Sequence, residues 1–182
     1  VAELKASALD REVARELCDY LQDDLHPAER TTVAQVLGFH KSATRFSEVG
    51  AALHAQAELE DDVIALRALV FALQGCEAVT QFLTHRDEGV VLEAVVNAPA
   101  NTQSLQALLH VAFEGLQNRP FEALCGRLAD FEDIVPHVVA FLMTAEFREG
   151  GGRFDDRVRH VFSELPQPLL FEALVDVRGD LE

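Results

Sequence analysis

Apolar residues fall along this chain at helical spacing. Val13, Leu17, Tyr20 and Leu21 recur at i, i+4, i+7 and i+8, and Leu105, Leu108, Leu109, Ala112, Phe113 and Leu116 keep a similar register. Val158, Val161, Phe162 and Leu165 repeat it late in the chain. Each set draws one apolar stripe along one helix face, and that face seeks a partner. Two segments, Val63 to Leu73 and Ile134 to Met143, are apolar more widely. They predict helices packed on more than one side, with Leu66 and Leu69 nearly fully buried. No stretch alternates with the period of a strand.

The punctuation between stripes fits short helices. Asp10 can cap a helix starting at Arg11, and Pro27 suits a first turn. Gly75 suits the stop after Leu73 and Gln74. Asn97-Ala98-Pro99 ends another helix, Asn101 or Thr102 starts the next, and Pro120 and Pro136 sit where first turns are expected. Gly150-Gly151-Gly152 is a flexible break, without the following Lys or preceding strand of a phosphate loop. The length accommodates roughly ten to eleven helices with short connections.

An internal recurrence organises these helices. Asp61-Asp62-Val63-Ile64-Ala65-Leu66-Arg67-Ala68-Leu69 is echoed by Asp87-Glu88-Gly89-Val90-Val91-Leu92-Glu93-Ala94-Val95, with Cys76 to Leu83 between them. Val33 to Gly38, followed by Ala43, Phe46 and Val49, has the same two-helix rhythm. A period of about 30 residues with two short helices per unit is the signature of an α-solenoid. The expected fold is therefore all-α: a right-handed solenoid, or α-α superhelix, of stacked helix pairs, forming a single domain over 1–182.

At these residues the chain resembles a known family. The span 29–97 is similar to HEAT repeats of the short bacterial type, which read roughly acid-x-x-Val-Arg-x-x-Ala-x-x-Ala-Leu-Gly, a short turn, then Ala-Val-x-x-Leu. Ala65, Ala68 and Leu73 match this outline, and Glu77-Ala78-Val79 starts the second helix. The chain departs from it where Ile64 or Val91 replaces the Arg after Val, and where Gln74 precedes Gly75. The second half, 98–182, fits only as helix pairs. The segment from Val90 to Leu109 also resembles the leucine-rich repeat variant, a related α-solenoid.

Composition narrows the function. Hydrophobic residues are 49 % of the chain, enough for a sizeable core, and Trp is absent. No apolar run reaches the roughly 18 residues that span a bilayer, and no signal peptide is visible; a start at Val1 suggests a fragment of a longer chain. Cys18, Cys76 and Cys125 are odd in number and widely spaced, which fits buried free thiols in a reducing, cytoplasmic compartment rather than a zinc site. A net charge of −16 repels nucleic-acid phosphates and anionic membranes. Many acids also fall at expected helix starts: Glu58, Glu60, Asp61 and Asp62; Asp87 and Glu88; Glu132 and Asp133; Asp155 and Asp156. There they complement the helix dipole.

Candidate chemistry is sparse. His54/Glu58, His110/Glu114 and His160/Glu164 are spaced i, i+4, which allows carboxylate–imidazole pairs but equally describes surface pairs worth a few tenths of a kcal/mol. The HEAT-like deoxyhypusine hydroxylases hold iron with His-Glu dipeptides, and this chain has none. The HEAT-like DNA alkyl-base glycosylases use a basic concave face, against the charge of −16 here. Lyases that attach bilins carry similar repeats, without a residue here to match their role. The acids at 58–62 lack the spacing of a calcium loop. Phe131, Phe141, Phe147, Phe154, Phe162 and Phe171 fall mostly on apolar stripes and read as core. No P-loop, H-E-x-x-H or G-x-S-x-G is present. The expectation is a non-catalytic protein-interaction or scaffold module, without cofactor, metal or catalytic residues. It would present an acidic surface of Glu58, Glu60, Asp61, Asp62, Asp87 and Glu88 to a protein partner, for which a basic one fits, and not to nucleic acid or membrane. The alternatives are a HEAT-like enzyme or cofactor-binding, lyase-like protein, and a structural repeat fragment.

Overall fold

Side-chain caps set where the helices begin. Asp10 accepts from the Val13 amide at 2.9 Å and opens α1, Arg11–Leu21. His26 Nδ1 accepts from the Ala28 amide while Glu29 accepts from the His26 amide, and α2, Pro27–Phe39, starts on the proline. A short turn, α3 (Ser42–Arg45), leads into α4, Ser47–Leu59. Asp62 takes the Ile64 and Ala65 amides to open α5, Val63–Ala72. A 3-10 helix, Glu77–Thr84, precedes α6 (Glu88–Asn97), which Asp87 caps through the Val90 amide. Asn101 caps α7, Thr102–Glu114. Then come α8 (Asn118–Arg127), a 3-10 turn at Leu128–Asp130, α9 (Ile134–Leu142) and a last helix, Asp155–Glu164. Such caps satisfy amides that the first helical turn leaves without partners.

The structure, a computed structural model, describes residues 9–23, 25–131, 134–142 and 155–165. Among them every regular element is helical and none is a strand. The expected stops hold where they can be seen: Gly75 adopts φ +78°, and Pro120 and Pro136 lie in the first turns of α8 and α9. The Gly150-Gly151-Gly152 break lies outside the described residues, as do Phe147, Phe154 and Phe171. The chain divides into two compact units, Val1–Pro99 and Ala100–Glu182, close to where the repeat outline ends.

In the first unit, cross-helix bonds fix the direction of the helices. Near their starts, Arg30 of α2 grips Glu60, just before α5. Near their ends, Gln74 Nε2 donates to the Gly38 carbonyl at 2.6 Å. Arg67 of α5 lies 3.6 Å from Glu93 of α6, and the Gly75 amide donates to the Asn97 carbonyl at 2.8 Å. Start meets start and end meets end, so α2, α5 and α6 run parallel, side by side. Behind them, Arg11 of α1 pairs with Glu48 of α4, and His54 of α4 meets Gln81 of the 3-10 helix at 3.0 Å. Each front helix packs on a back one: α2 on α1, α5 on α4, α6 on the 3-10 helix. Leu37, Leu53, Leu69, Leu73, Val79 and Val90 are fully buried in this unit.

The tightest approach is between α2 and α5, at Gly38. A Cβ there would lie 2.6 Å from Phe71 Cε1 and 3.1 Å from the Ala72 Cα. Only the missing side chain lets the Phe71 ring lie across the end of α2.

Two expectations change. The segment Val63 to Leu73 buries Leu66 and Leu69, as its pattern predicts, but Ile64 is 68 % exposed. Helix α5 has neighbours on three sides, α2, α4 and α6, and Ile64 points to the fourth. The helix after Gly75 winds as a 3-10 helix. Its buried residues Val79 and Phe82 are three apart, and three residues per turn stacks them on one face.

The second unit closes α7 against α9 and the last helix against α8. Leu105, Leu108, Leu124, Leu128, Val138 and Val161 are buried within it. Arg157 of the last helix donates to the Ala112 carbonyl at 2.6 Å and to the Leu116 carbonyl, with its guanidinium 4.8 Å above the Phe121 ring. It thereby satisfies carbonyls that the end of α7 leaves open. Among the described residues, no helix is long and apolar enough to cross a membrane.

Candidate functional site

The structure separates the acids expected to form one surface. Glu60 is buried: its carboxylate accepts from Arg30 Nε at 2.6 Å and Nη2 at 2.8 Å, and from the Asp62 amide at 3.0 Å. It is an internal brace between α2 and the α4–α5 turn, so its inclusion in an exposed acidic surface is corrected. Set in the acidic run from Glu58 to Asp62, it gave no sequence hint that its partner lay 30 residues back. Asp62 and Asp87 are half-buried helix caps. Glu58 and Asp61 are exposed and Glu88 is half-exposed. Parallel helices bring Asp61 and Glu88 to the same, amino-terminal end of the front row, with Glu29 of α2 beside them in the sequence of helices.

Among the imidazole pairs, His54 and Glu58 meet only loosely. His54 Nε2 lies 3.7 Å from Glu58 and is closer to Gln81. His160 and Glu164 are both exposed, and His160 leans on the Phe121 ring. His110 is exposed. Among the described residues, no three His, Cys, Asp or Glu side chains converge as metal ligands would.

The thiols are pushed toward their neutral form. Burial raises Cys18 to about 11, with the Asp19 charge adding to it. Burial also raises Cys125 to about 11, helped by Glu164 and Glu122 and opposed by Arg157. Burial raises half-buried Cys76 too. A nucleophilic cysteine needs the opposite shift.

What the front row does offer is a groove of about 420 Å³ between α2 and α5. Thr31, Gln35 and Phe39 line one wall at i, i+4 and i+8; Ile64, Arg67, Ala68 and Phe71 line the other; Glu93 of α6 closes the side. Ile64 and Phe39 stand as ridges, 68 % and 56 % exposed, with Ala68 as the dip between Ile64 and Phe71. Phe39 and Phe71 meet edge-on, ring centroids 5.5 Å apart, at the end where Gly38 lets the Phe71 ring settle. Glu93 carries Arg67 at 3.6 Å and the Asn97 side-chain amide at 3.2 Å. A second hollow, lined by Arg11, Glu12, Arg15 and Glu48, is charged throughout, and its hydrogen bond from Arg11 holds the Glu48 carboxyl below the usual range.

Sequence reading missed this groove. The signal was present as a surplus: Ile64, Ala68 and Phe71 form an i, i+4, i+7 stripe in addition to the one carrying Leu66 and Leu69. A helix needs its extra stripe only if something covers it. Neither a protein-family model, nor a curated protein, nor a solved structure matches this chain.

Proposed function

We propose that this chain is a non-catalytic protein-interaction module, built as an α-solenoid of HEAT-like helix pairs and working on a protein partner in the cytoplasm. One observation carries the reading. The front row takes one helix from each pair, and along it two large apolar side chains, Phe39 and Ile64, stand exposed beside the same groove. Scattered apolar residues on a surface are ordinary, whereas apolar ridges gathered on a concave strip mark contact sites. Solenoids use such strips as binding faces. The net charge of −16 favours a protein ligand over nucleic acid or an anionic bilayer, and the exposed Glu58 and Asp61 keep an acidic rim beside the row.

The test is retention from native lysate on the immobilised chain, compared with an Ile64→Asp variant. Ile64 is exposed, so the variant keeps its fold. A band retained by the parent chain and lost with Ile64→Asp supports the reading; equal retention by both removes the groove from it.

A further inference from the structure

We infer that the groove between α2 and α5 receives a short amphipathic helix from a basic partner, a proposal that rests on the interaction-module reading. The shape argues for a helix. The apolar positions of the α5 wall, Ile64, Ala68 and Phe71, follow i, i+4, i+7. From Ile64 to Phe71 is about 10 Å at a rise of about 1.5 Å per residue, or two helical turns. A ligand helix with apolar residues at its own i, i+4 and i+7 matches that length and sets its middle residue into the dip over Ala68. This is the way amphipathic helices enter grooves, one anchor per turn. The outer anchors then lie against Ile64 and against the edge-on Phe39–Phe71 pair.

Charge selects the sign of the partner. Among the described residues, the one cation lining the groove, Arg67, already faces Glu93. The Glu93 carboxylate holds Arg67 at 3.6 Å and Asn97 at 3.2 Å, both long contacts, and a carboxylate has about four acceptor positions. It therefore retains capacity for a partner Lys or Arg. At the amino-terminal end of the row, exposed Glu29 and Asp61 and half-exposed Glu88 extend the same sign. The chain as a whole carries −16, which steers a basic helix in and turns a second copy of itself away.

The chain supplies its own reporter. It contains two isoleucines: Ile64 on the groove, and Ile134, buried in the other unit. With isoleucine δ1-methyl groups labelled in the full chain, two peaks read the groove and a control in the other unit. The probe is a synthetic twelve-residue helix with Leu at i, i+4 and i+7 and Lys at the polar positions. The expected result is a saturable shift of Ile64 with Ile134 unmoved. Phe39→Ser should weaken binding about tenfold or more, as loss of an aromatic anchor does, and Glu93→Gln by several-fold. Gln35→Trp, which fills the groove from an exposed wall, should block it and stands in if Phe39→Ser disturbs the Ile134 peak.

Several results overturn the inference: an equal Ile64 shift with Glu in place of Lys, a shift that follows protein concentration without peptide, or peptide binding by anisotropy with Ile64 unmoved. No binding at millimolar peptide also overturns it. In that case the interaction-module reading still stands or falls on the Ile64→Asp retention experiment, so the two failures are distinguishable.

Discussion

Leu69 and Leu59 are the same side chain in opposite surroundings, 0 % and 79 % exposed. Leu69→Ala should cost about 2–5 kcal/mol, the range for a large-to-small change in a packed core. Leu59→Ala should stay within about 0.5 kcal/mol of the parent. Urea melts of the two variants check the register of α4 and α5 together. Glu60 makes a sharper case: its side chain is 1 % exposed and that of Arg30 is 17 % exposed. Removing one partner strands the other's charge in a poorly hydrated site. Glu60→Ala should therefore cost about 3–5 kcal/mol, whereas Asp61→Ala, on an exposed neighbour, should be close to neutral by the same melt. The thiols add a pH dependence. Burial holds the protons of Cys18 and Cys125 more tightly in the folded chain, from an ordinary value of 9.0 up to about 11. The unfolded chain thus loses these protons first, so their contribution is complete below about pH 9 and declines as pH rises toward 11. Urea midpoints measured across that range should fall, and less steeply in Cys18→Ala than in the parent.

At the scale of elements, the local rules were legible and the contacts between helices were not. Asp10, Pro27, Gly75 and Asn101 announce helix ends because capping is chemistry between residues two to four apart, and sequence displays it directly. The echo of Asp61–Leu69 in Asp87–Val95, 26 residues on, likewise brought out the two parallel helices α5 and α6. Gly38 shows where such reading stops. In the sequence it is one more glycine near a helix end; in the fold it is the point where α2 meets the Phe71 ring. The groove was lost for the same reason, since an apolar stripe looks alike whether a neighbour covers it or leaves it open. Gly38→Ala should push the ring outward and press on the α5 backbone, at a cost of about 1–3 kcal/mol. A thermal melt measures the cost, and a displaced Ile64 methyl signal in the same variant would show that the groove's shape depends on this contact.

For the molecule as a whole, charge and helix content make the first test. Circular dichroism should show a helical spectrum without a strand component. A duplex DNA gel shift at micromolar protein and physiological salt should show no complex, because few basic side chains are available to release counterions from phosphates. A salt-dependent shift would revive a glycosylase-like role. The first unit carries its own buried residues, from Leu9 to Ala98, so residues 1–99 alone should melt cooperatively with most of that unit's helical signal.

The side-chain bonds that tie the first unit together share one property, which bears on how the chain folds as it is made. Arg30 reaches 30 residues ahead to Glu60, Gln74 reaches 36 back to Gly38, and His54 reaches 27 ahead to Gln81. Each of these partners is about 30 residues away. A ribosome that has released α5 has therefore already released what α2 needs, and the row can lengthen helix by helix behind the exit tunnel. Arg157 keeps a longer appointment: the end of α7 waits 45 residues for the guanidinium that closes the Ala112 carbonyl. Until then α7 is a helix with an open end, and a nascent chain stalled before position 157 should expose it to proteolysis while the first unit already resists.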